Sequence, residues 1–243
     1  VLNQKTNFKY ELVIGDDYSN DGTTKIIENY YHNFPEIIKP IIRKSNIGPK
    51  LNAENLNNYL SGKYVALCEG DDYWIDPYKL QKQVDFMESN TEYSMCFHNA
   101  FVLKGNSNEM KLFASLEDRE YTPNEILVNW LVPTASVLFR KEYLNNKIYD
   151  KNYIFTDIAL FLTLCEYGKV RCLNETMAIY RRHETGLTQN KYKLKQRIVH
   201  FNTLNKNFNY KYDKEIKKIK KLLYISSIKN IIKKFLINLK IFK

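Results

Sequence analysis

The fold is best predicted from residues 63–83, KYVALCEGDDYWIDPYKLQKQ. This stretch joins an apolar run to a helical pattern through a cluster of acids. The run 64–68 ends at an acid and predicts a short buried strand. Asp76 and Pro77 then suit the cap and the first residue of a helix. The apolar face of that helix would be formed by Leu80, Val84 and Met87. The pattern predicts a strand, an acidic turn and a helix in direct succession.

Three carboxylates, Glu69, Asp71 and Asp72, crowd the end of the predicted strand. They would repel one another and raise each other's pKa unless a cation shared the site. Hard oxygen ligands suit Mg²⁺ or Mn²⁺ bound together with the phosphates of a substrate. The carboxyl ends of strands in open α/β sheets are also where ligands usually bind. We therefore predict a divalent metal site, and the plainer alternative is a solvated acidic turn beside a helix cap.

The string ALCEGDDYW-x-DP-x-KL-x-KQ resembles the metal-binding segment of glycosyltransferase family 2 enzymes. That resemblance implies the GT-A fold, an α/β architecture with a Rossmann-like mixed sheet flanked by helices. It also implies a hexosyltransferase type of reaction, in which a sugar leaves a nucleotide diphosphate with inversion. Asp71 would bind the metal, and Glu69 and Asp72 would contact the nucleotide sugar. Glu69 stands where the family's Asp-x-Asp motif has its first aspartate.

The predicted strand 10–14 runs into the string IGDDYSNDGT, which resembles the family's second signature. The resemblance places Asp16 and Asp17 against the base or the ribose, and a carboxylate can accept hydrogen bonds from either. Asn46 and Gly48 match a family loop that lies near the nucleotide. Apart from the resemblance, both stretches are also ordinary turn sequences.

Asp157 precedes an apolar helical segment, and two roles suit it. It could cap the helix by accepting from backbone N–H groups, or it could be the general base that the resembled enzymes place at such an acid. The family usually has a Glu-Asp pair there, and Thr156 replaces the glutamate. Further on, the string YRRH resembles the end of the family's catalytic domain. It implies that Arg181 and Arg182 contact the donor's phosphates and that His183 binds the metal.

The charge of the chain is concentrated at its C-terminal end. The net charge is +10, yet residues 189–243 hold 16 Lys or Arg and two acids, a net +14, whereas residues 1–188 hold 21 bases and 25 acids, a net −4. This tail shows helical spacing of apolar residues, at Ile216, Ile219, Leu223, Ile231, Ile232, Phe235 and Leu236. Lysines interrupt every apolar run, so we predict no membrane span. The tail could lie on an anionic membrane or cap the domain with solvated lysines.

The predicted organisation is a GT-A-like domain over residues 1–188 and a basic amphipathic helical tail over 189–243. The four cysteines form no CxxC pair, which indicates free thiols and a cytoplasmic protein, with a peripheral position at the inner face of a membrane left open by the tail. In the resembled family a strand and a helix precede a segment such as VLNQ at residues 1–4. We therefore expect the central strand of the sheet to be missing from this sequence.

The hypothesis that follows is a metal-assisted, inverting glycosyltransferase. It would use Mg²⁺ or Mn²⁺ and a nucleotide-sugar donor, with UDP as the expected carrier, and a hydroxyl of a glycan or lipid-linked acceptor. A truncated or degenerate relative without activity is the first alternative. A nucleic-acid-binding protein is the second, but no helix-turn-helix, zinc or RNP pattern supports it and the acidic front of the chain argues against it. We therefore predict no nucleic-acid partner.

Overall fold

The computed structural model describes residues 1–105, 109–183 and 192–241, and from residue 230 onward the backbone only. The strands are β1 Leu12–Asp16, β2 Ile38–Ile42, β3 Tyr64–Ala66, β4 Tyr73–Trp74, β5 Tyr93–Lys104, β6 Met110–Leu112, β7 Leu138–Arg140 and β8 Lys169–Arg182. The helices are α1 Thr23–Asn33, α2 Pro49–Leu56, α3 Lys79–Ser89, α4 Pro123–Asn129, α5 Thr156–Tyr167, α6 Leu194–Asn207 and α7 Asp213–Ile241. The predicted α/β class is confirmed.

The strands form two sheets. β1 and β2 pair in parallel, as expected for a strand, a crossover helix and a second strand. The larger sheet has the order β3-β7-β5-β8-β4, with β6 paired to β5. β5 and β8 run parallel, and the other pairs in this sheet are antiparallel. The sheet is therefore mixed and flanked by helices, as the sequence predicts.

A cleft of about 660 Å³ separates the two sheets. One wall is formed by β1, with Leu12 and Val13, and another by β3, with Val65. In the described ranges no strand lies between β1 and β3. The open edge of each sheet is thus directed at the same apolar cleft.

The helix α3 begins two residues later than the sequence pattern predicts. Its N-cap is Tyr78 rather than Asp76. The Asp76 carboxylate instead accepts from the Tyr78 backbone N–H at 2.7 Å and from the Lys82 ammonium at 2.8 Å. A residue that is distant in sequence satisfies one backbone donor at the start of the helix, because the Gln4 side chain accepts from the Leu80 N–H at 2.9 Å. The predicted capping role of Asp76 is therefore wrong, although the carboxylate still orders the turn that precedes the helix.

The main core lies under the larger sheet and includes the helices that follow it. Phe201 and Leu204 of α6 are buried in the same cluster as Met95 and Phe97 of β5. Ile216, at the start of α7, belongs to it too. The predicted boundary between residues 188 and 189 lies outside the described residues, as do the side chains of Ile231, Ile232, Phe235 and Leu236. What the structure does show is that α6 and the first turn of α7 pack on the core.

Replacing Leu204 with alanine is expected to lower the free energy of unfolding by about 2–5 kcal/mol, because a fully buried leucine leaves a cavity. Leu222→Ala, at an exposed position of α7, is the matched control and should change it by less than about 0.5 kcal/mol. Urea denaturation followed by circular dichroism measures both. Equal midpoints for the two variants would show that α6 is not part of the folding unit.

Candidate active site

The acids that follow β3 form a compact cluster. Glu69, Asp71 and Asp72 can each place one carboxylate oxygen within 4.8 Å of the others. Asp72 is buried, Asp71 is half-buried and Glu69 is accessible to solvent. The three acids that the sequence places side by side therefore converge in space rather than spreading over the surface.

A tight turn and two strands hold the cluster in place. The turn is closed by the Asp72 N–H, which donates to the Glu69 carbonyl at 3.0 Å. β4 follows immediately and pairs with β8 through Tyr73 and Trp74. At the end of β8, the Arg181 N–H donates to Asp72 Oδ1 at 2.9 Å and the Arg181 side chain donates to the Asp71 carbonyl. The two distant motifs, one after β3 and one at the end of β8, therefore build one site.

Two carboxyl groups of the cluster, those of Glu69 and Asp72, have a raised pKa. Glu69 as a residue is exposed, but the surrounding protein desolvates its carboxyl group, and this desolvation, with the charges of Asp72, Asp157 and Asp71, raises the pKa of Glu69 to about 7. Burial also raises the pKa of Asp72 to about 6, against the opposing effect of the hydrogen bond from Arg181. Desolvation therefore disfavours the ionised forms of both groups, and a bound cation would favour them.

The cluster fits a divalent cation. Asp72 Oδ2 is buried and has no hydrogen-bond partner, although its other oxygen is bonded. A buried carboxylate oxygen without a partner is costly and points to a missing cation or water. Three carboxylates with oxygens this close are a suitable ligand set for Mg²⁺ or Mn²⁺.

The predicted residues at the end of β8 differ in position. His183 Nε2 lies 2.8 Å from Asp71 Oδ2, so this predicted metal ligand contacts the cluster through Asp71. Arg181 is bonded to the turn, and the side chain of Arg182 is exposed. The structure therefore brings Arg181 and His183 to the acids, while contact of Arg182 with a donor stays a prediction.

Asp157 lies in the first turn of α5, and the surrounding protein desolvates its carboxyl group. The N-cap position of α5 is Phe155, so Asp157 does not occupy the predicted cap position, although its carboxylate does accept from a backbone N–H of the first turn. Its Oδ1 accepts from the Ile158 N–H at 2.8 Å, and burial raises its pKa to about 6. Its charge contributes to the raised pKa of Glu69, which places the two carboxylates in one electrostatic environment.

The turn after β1 is tied to the loop after β2. Asp17 accepts from the Ile47 N–H and the Gly48 N–H, each at 2.8 Å, and the Asn46 amide donates to the Asp17 carbonyl at 3.1 Å. Gly48 has φ of 85°, a conformation that favours glycine. The structure thus brings together three residues that were predicted to contact the nucleotide.

Asp16 has a different position from Asp17. It is buried, and its carboxylate accepts from the Ser19 N–H at 3.1 Å and from the Thr24 hydroxyl. Burial alone would raise the pKa of Asp16, but the hydrogen bonds from Ser19 and Thr24 outweigh it and lower the pKa. Asp16 therefore orders the turn that presents Asp17, and its contact with a nucleotide stays a prediction.

Three residues that the sequence reasoning missed connect these parts. The Asn52 amide donates to the Gly15 carbonyl at 2.9 Å and accepts from Arg43 Nε at 3.0 Å. The Lys50 ammonium donates to the carbonyls of residues 150 and 151 at 2.9 Å, and so links the Gly48 loop to the segment before Asp157. The available signal for Lys50 and Asn52 was the run NIGPKLN at residues 46–52, in which both follow directly on the loop at residues 46–48.

A comparison with known protein families now bears on this geometry. The sequence profile described as "Glycosyl transferase family 2" matches residues 1–160. The chain belongs to glycosyltransferase family 2. The predicted family and the GT-A architecture are thereby confirmed.

Relatives and solved structures agree with this assignment. The putative teichuronic acid biosynthesis glycosyltransferase TuaG of Bacillus subtilis is 26% identical to this family 2 chain over 186 residues, 76% of this chain and 72% of TuaG. The uncharacterized protein Rv1520 of Mycobacterium tuberculosis is 36% identical over 190 residues, which are 78% of this chain and 55% of that protein. The chain thus spans about half the length of this relative.

The fold also matches that of a solved glycosyltransferase. The structure of Staphylococcus aureus TarS residues 1–349 in complex with UDP aligns with a TM-score of 0.56 at 17% identity, over 86% of this chain and 66% of that one. The likeness shows a shared architecture.

Within the described ranges, none of the helices has the length and apolar character needed to cross a membrane.

The affinity for Mn²⁺ is expected to rise from about pH 5.5 to about pH 7.5, by up to about tenfold per pH unit for each carboxyl group that must lose its proton. The pKa values of about 7 for Glu69 and about 6 for Asp72 set this window, because below them the metal competes with protons. Isothermal titration calorimetry at several pH values measures it. An affinity that does not change with pH would show that these carboxylates are not the ligands.

Proposed function

We propose that this family 2 glycosyltransferase transfers a sugar from a nucleotide diphosphate to a hydroxyl group, with a divalent cation and with inversion at the anomeric carbon. One observation supports it most: the buried, unpartnered oxygen of Asp72 lies in a cluster whose Glu69 is electrostatically coupled to Asp157. Ligands for a cation and a candidate base thus belong to one site, as such a transfer requires.

Glu69, Asp71 and Asp72 would hold the cation, with His183 against Asp71. When bound, Mg²⁺ or Mn²⁺ supplies positive charge that stabilises the leaving diphosphate. Arg181, fixed to the turn by two hydrogen bonds, adds a guanidinium beside the same carboxylates. The acids therefore neutralise the metal, and the arginine remains near the phosphates.

Asp157 would accept the proton of the acceptor hydroxyl. Its pKa of about 6 leaves it ionised at neutral pH yet more basic than an ordinary aspartate. The hydrogen bond from Ile158 fixes one oxygen, so the other can bind the hydroxyl. Attack by that hydroxyl from the side opposite the leaving diphosphate inverts the anomeric carbon.

The donor's nucleoside would lie against the turn after β1. Asp17 already orders the Asn46–Gly48 loop, and the carboxylate has further lone pairs for a ribose or base. Arg43 donates from Nε to Asn52, which in turn donates to the Gly15 carbonyl at the end of β1. The Nη2 atom of Arg43 is buried and has no hydrogen-bond partner. This arrangement supports nucleotide contact by Asp17, Asn46 and Gly48. Asp16, which orders the same turn, is proposed to contact the nucleotide as well.

The donor and acceptor classes come from the named relatives. A UDP-glucose-dependent glucosyltransferase of Escherichia coli, WfgD, acts on a diphosphoundecaprenol-linked sugar and is 24% identical over 193 residues. TuaG is named for polysaccharide biosynthesis. We therefore propose a UDP-hexose as donor and a glycan or lipid-linked sugar as acceptor, which would place the reaction in cell-surface polysaccharide synthesis on the cytoplasmic side of the membrane.

A donor screen tests this function. The protein is mixed with UDP-, GDP- and TDP-sugars, each with Mn²⁺ or with EDTA, and thermal unfolding and sugar release are followed. We expect a UDP-sugar to raise the melting temperature only with Mn²⁺, because ligands that bind the native state stabilise it. Failure of every nucleotide sugar, with or without Mn²⁺, would contradict the proposed function.

A further inference from the structure

Helix α7 has two apolar sides that point in opposite directions. Ile216 is buried in the main core, and Ile219 and Leu223 are partly buried against it. Ile225 follows Ile216 by nine residues, which at about 100° per residue is half a turn away from the core-facing side. A helix that only capped the domain would need just the first of these sides.

The outer side carries a row of exposed aliphatic side chains. Leu222, Ile225 and Ile228 recur every third residue and are 55%, 40% and 57% exposed. Beyond Ile228 the sequence has further apolar residues at intervals of three or four, at Ile232, Phe235 and Leu239. Within the described residues, the side chains of Leu222, Ile225 and Ile228 are open to solvent. We call Leu222, Ile225 and Ile228 the outer apolar row.

Positive charge surrounds the outer apolar row. Exposed lysines of α7 share the helix with it: Lys214, Lys217, Lys218, Lys221 and Lys229. The acids of the described helix are both at its start, where Asp213 pairs with Lys217 at 2.6 Å and Glu215 accepts from Asn124 at 3.1 Å. Beyond Glu215, the sequence of α7 has lysines, apolar residues and a few neutral polar residues, and no acid.

We propose that the outer face of α7 binds an anionic phospholipid surface, with the outer apolar row in the acyl boundary and the lysines on the headgroups. Lysine and aliphatic residues on one exposed helix face suit such a surface, since each basic residue adds affinity and each apolar one adds burial. The inference does not rest on the proposed function. Lipid binding by α7 requires no residue of the active site, so failure of one proposal leaves the other standing.

A second copy of the chain fits this face less well than lipid does. Two-fold pairing of α7 with itself would bring the lysines of one helix towards those of the other, and like charges at close range are destabilising. An anionic headgroup layer offsets the same charges. The charge pattern therefore favours lipid over self-association.

Co-sedimentation with vesicles tests the proposal. The protein should bind vesicles that contain phosphatidylglycerol, bind phosphatidylcholine vesicles weakly, and lose binding as salt is raised. Ile225→Glu/Ile228→Glu should lower the partition coefficient by roughly tenfold or more. Lys218→Gln/Lys221→Gln/Lys229→Gln should lower it by roughly 100-fold, at about fivefold per lysine.

The matched control is Ile26→Glu on α1, which changes an isoleucine that is 59% exposed, close to the 57% of Ile228. This variant should bind vesicles as the wild type does, and circular dichroism should show all variants folded. Equal binding to neutral and anionic vesicles would overturn the proposal, and so would unchanged binding of the Ile225→Glu/Ile228→Glu variant. A wild-type dimer that this variant converts to a monomer without lipid would also overturn it, in favour of self-association.

Discussion

Replacing Asp157 with asparagine is expected to lower the turnover number for sugar transfer by about 10²–10⁴-fold, the usual contribution of a general base. Asparagine keeps the oxygen that accepts from the Ile158 N–H, so α5 should begin as it does in the wild type. Binding of the donor should change little, because the substituted group acts on the acceptor. Steady-state kinetics with the donor identified in the screen measures the loss.

The matched control is Glu166→Gln, near the other end of α5, where the exposed glutamate pairs with Lys147 at 3.1 Å. Its turnover should equal that of the wild type. The turnover of the wild type should rise with pH through about 6, the pKa of Asp157, as the base loses its proton. If Asp157→Asn retained full turnover, the base would have to be another residue.

Replacing Asp72 with asparagine is expected to weaken Mn²⁺ binding by on the order of 100-fold, since a carboxylate ligand becomes a neutral amide. The same change should stabilise the metal-free protein at pH 8 by about 1–2 kcal/mol. The sign follows from burial, which raises the pKa of Asp72 to about 6 and makes its ionised form unfavourable in the fold. The increase in the free energy of unfolding of the variant is therefore present above this pKa and disappears as the pH falls below it.

Thermal unfolding with and without Mn²⁺ separates the two effects of Asp72→Asn. The variant should melt above the wild type in EDTA and respond less to added Mn²⁺. Asp85→Asn, at an exposed acid of α3, is the control that removes a carboxylate outside the cluster and should behave as the wild type. A variant that melts below the wild type in EDTA would show that the Asp72 carboxylate stabilises the fold without a metal.

Local sequence determines much of what surrounds the acids. The apolar run before Glu69 and the helical spacing of Leu80 and Met87 are enough to predict β3 and α3. The start of α3 was not predictable, because it depends on Gln4, which is 76 residues away from Leu80 in the sequence. Contacts of this range leave no periodic signal in either segment.

The sequence predicted which residues belong to the site more accurately than it predicted the role of each residue. It assigned Asp71 and His183 to the metal and Glu69 and Asp72 to the donor, whereas the structure groups Glu69, Asp71 and Asp72 as one possible ligand set. Only the turn and its bond to Arg181 reveal that Asp72 keeps one free, buried oxygen. Such a feature depends on packing between β4 and β8, which spacing alone does not encode.

The packing of α6 on the core agrees with one of the two predicted roles of the tail, a cap on the domain, but the residues that pack were not predictable. The basic composition of residues 189–243 drew attention to charge, while Phe201 and Leu204 are buried under the larger sheet. Apolar residues that are sparse among lysines can still be the ones that pack, because burial depends on the face they share and not on the average composition.

The central claim is that Glu69, Asp71 and Asp72 hold a divalent cation against the diphosphate of a sugar nucleotide. Electron paramagnetic resonance of Mn²⁺ titrated into the wild type and into Glu69→Gln/Asp72→Asn, each with and without UDP, tests it most directly. The account predicts one saturable Mn²⁺ site in the wild type, tighter when UDP is present and lost in the double variant. Mn²⁺ binding that is absent from the wild type with UDP, or equal in the double variant, would contradict it.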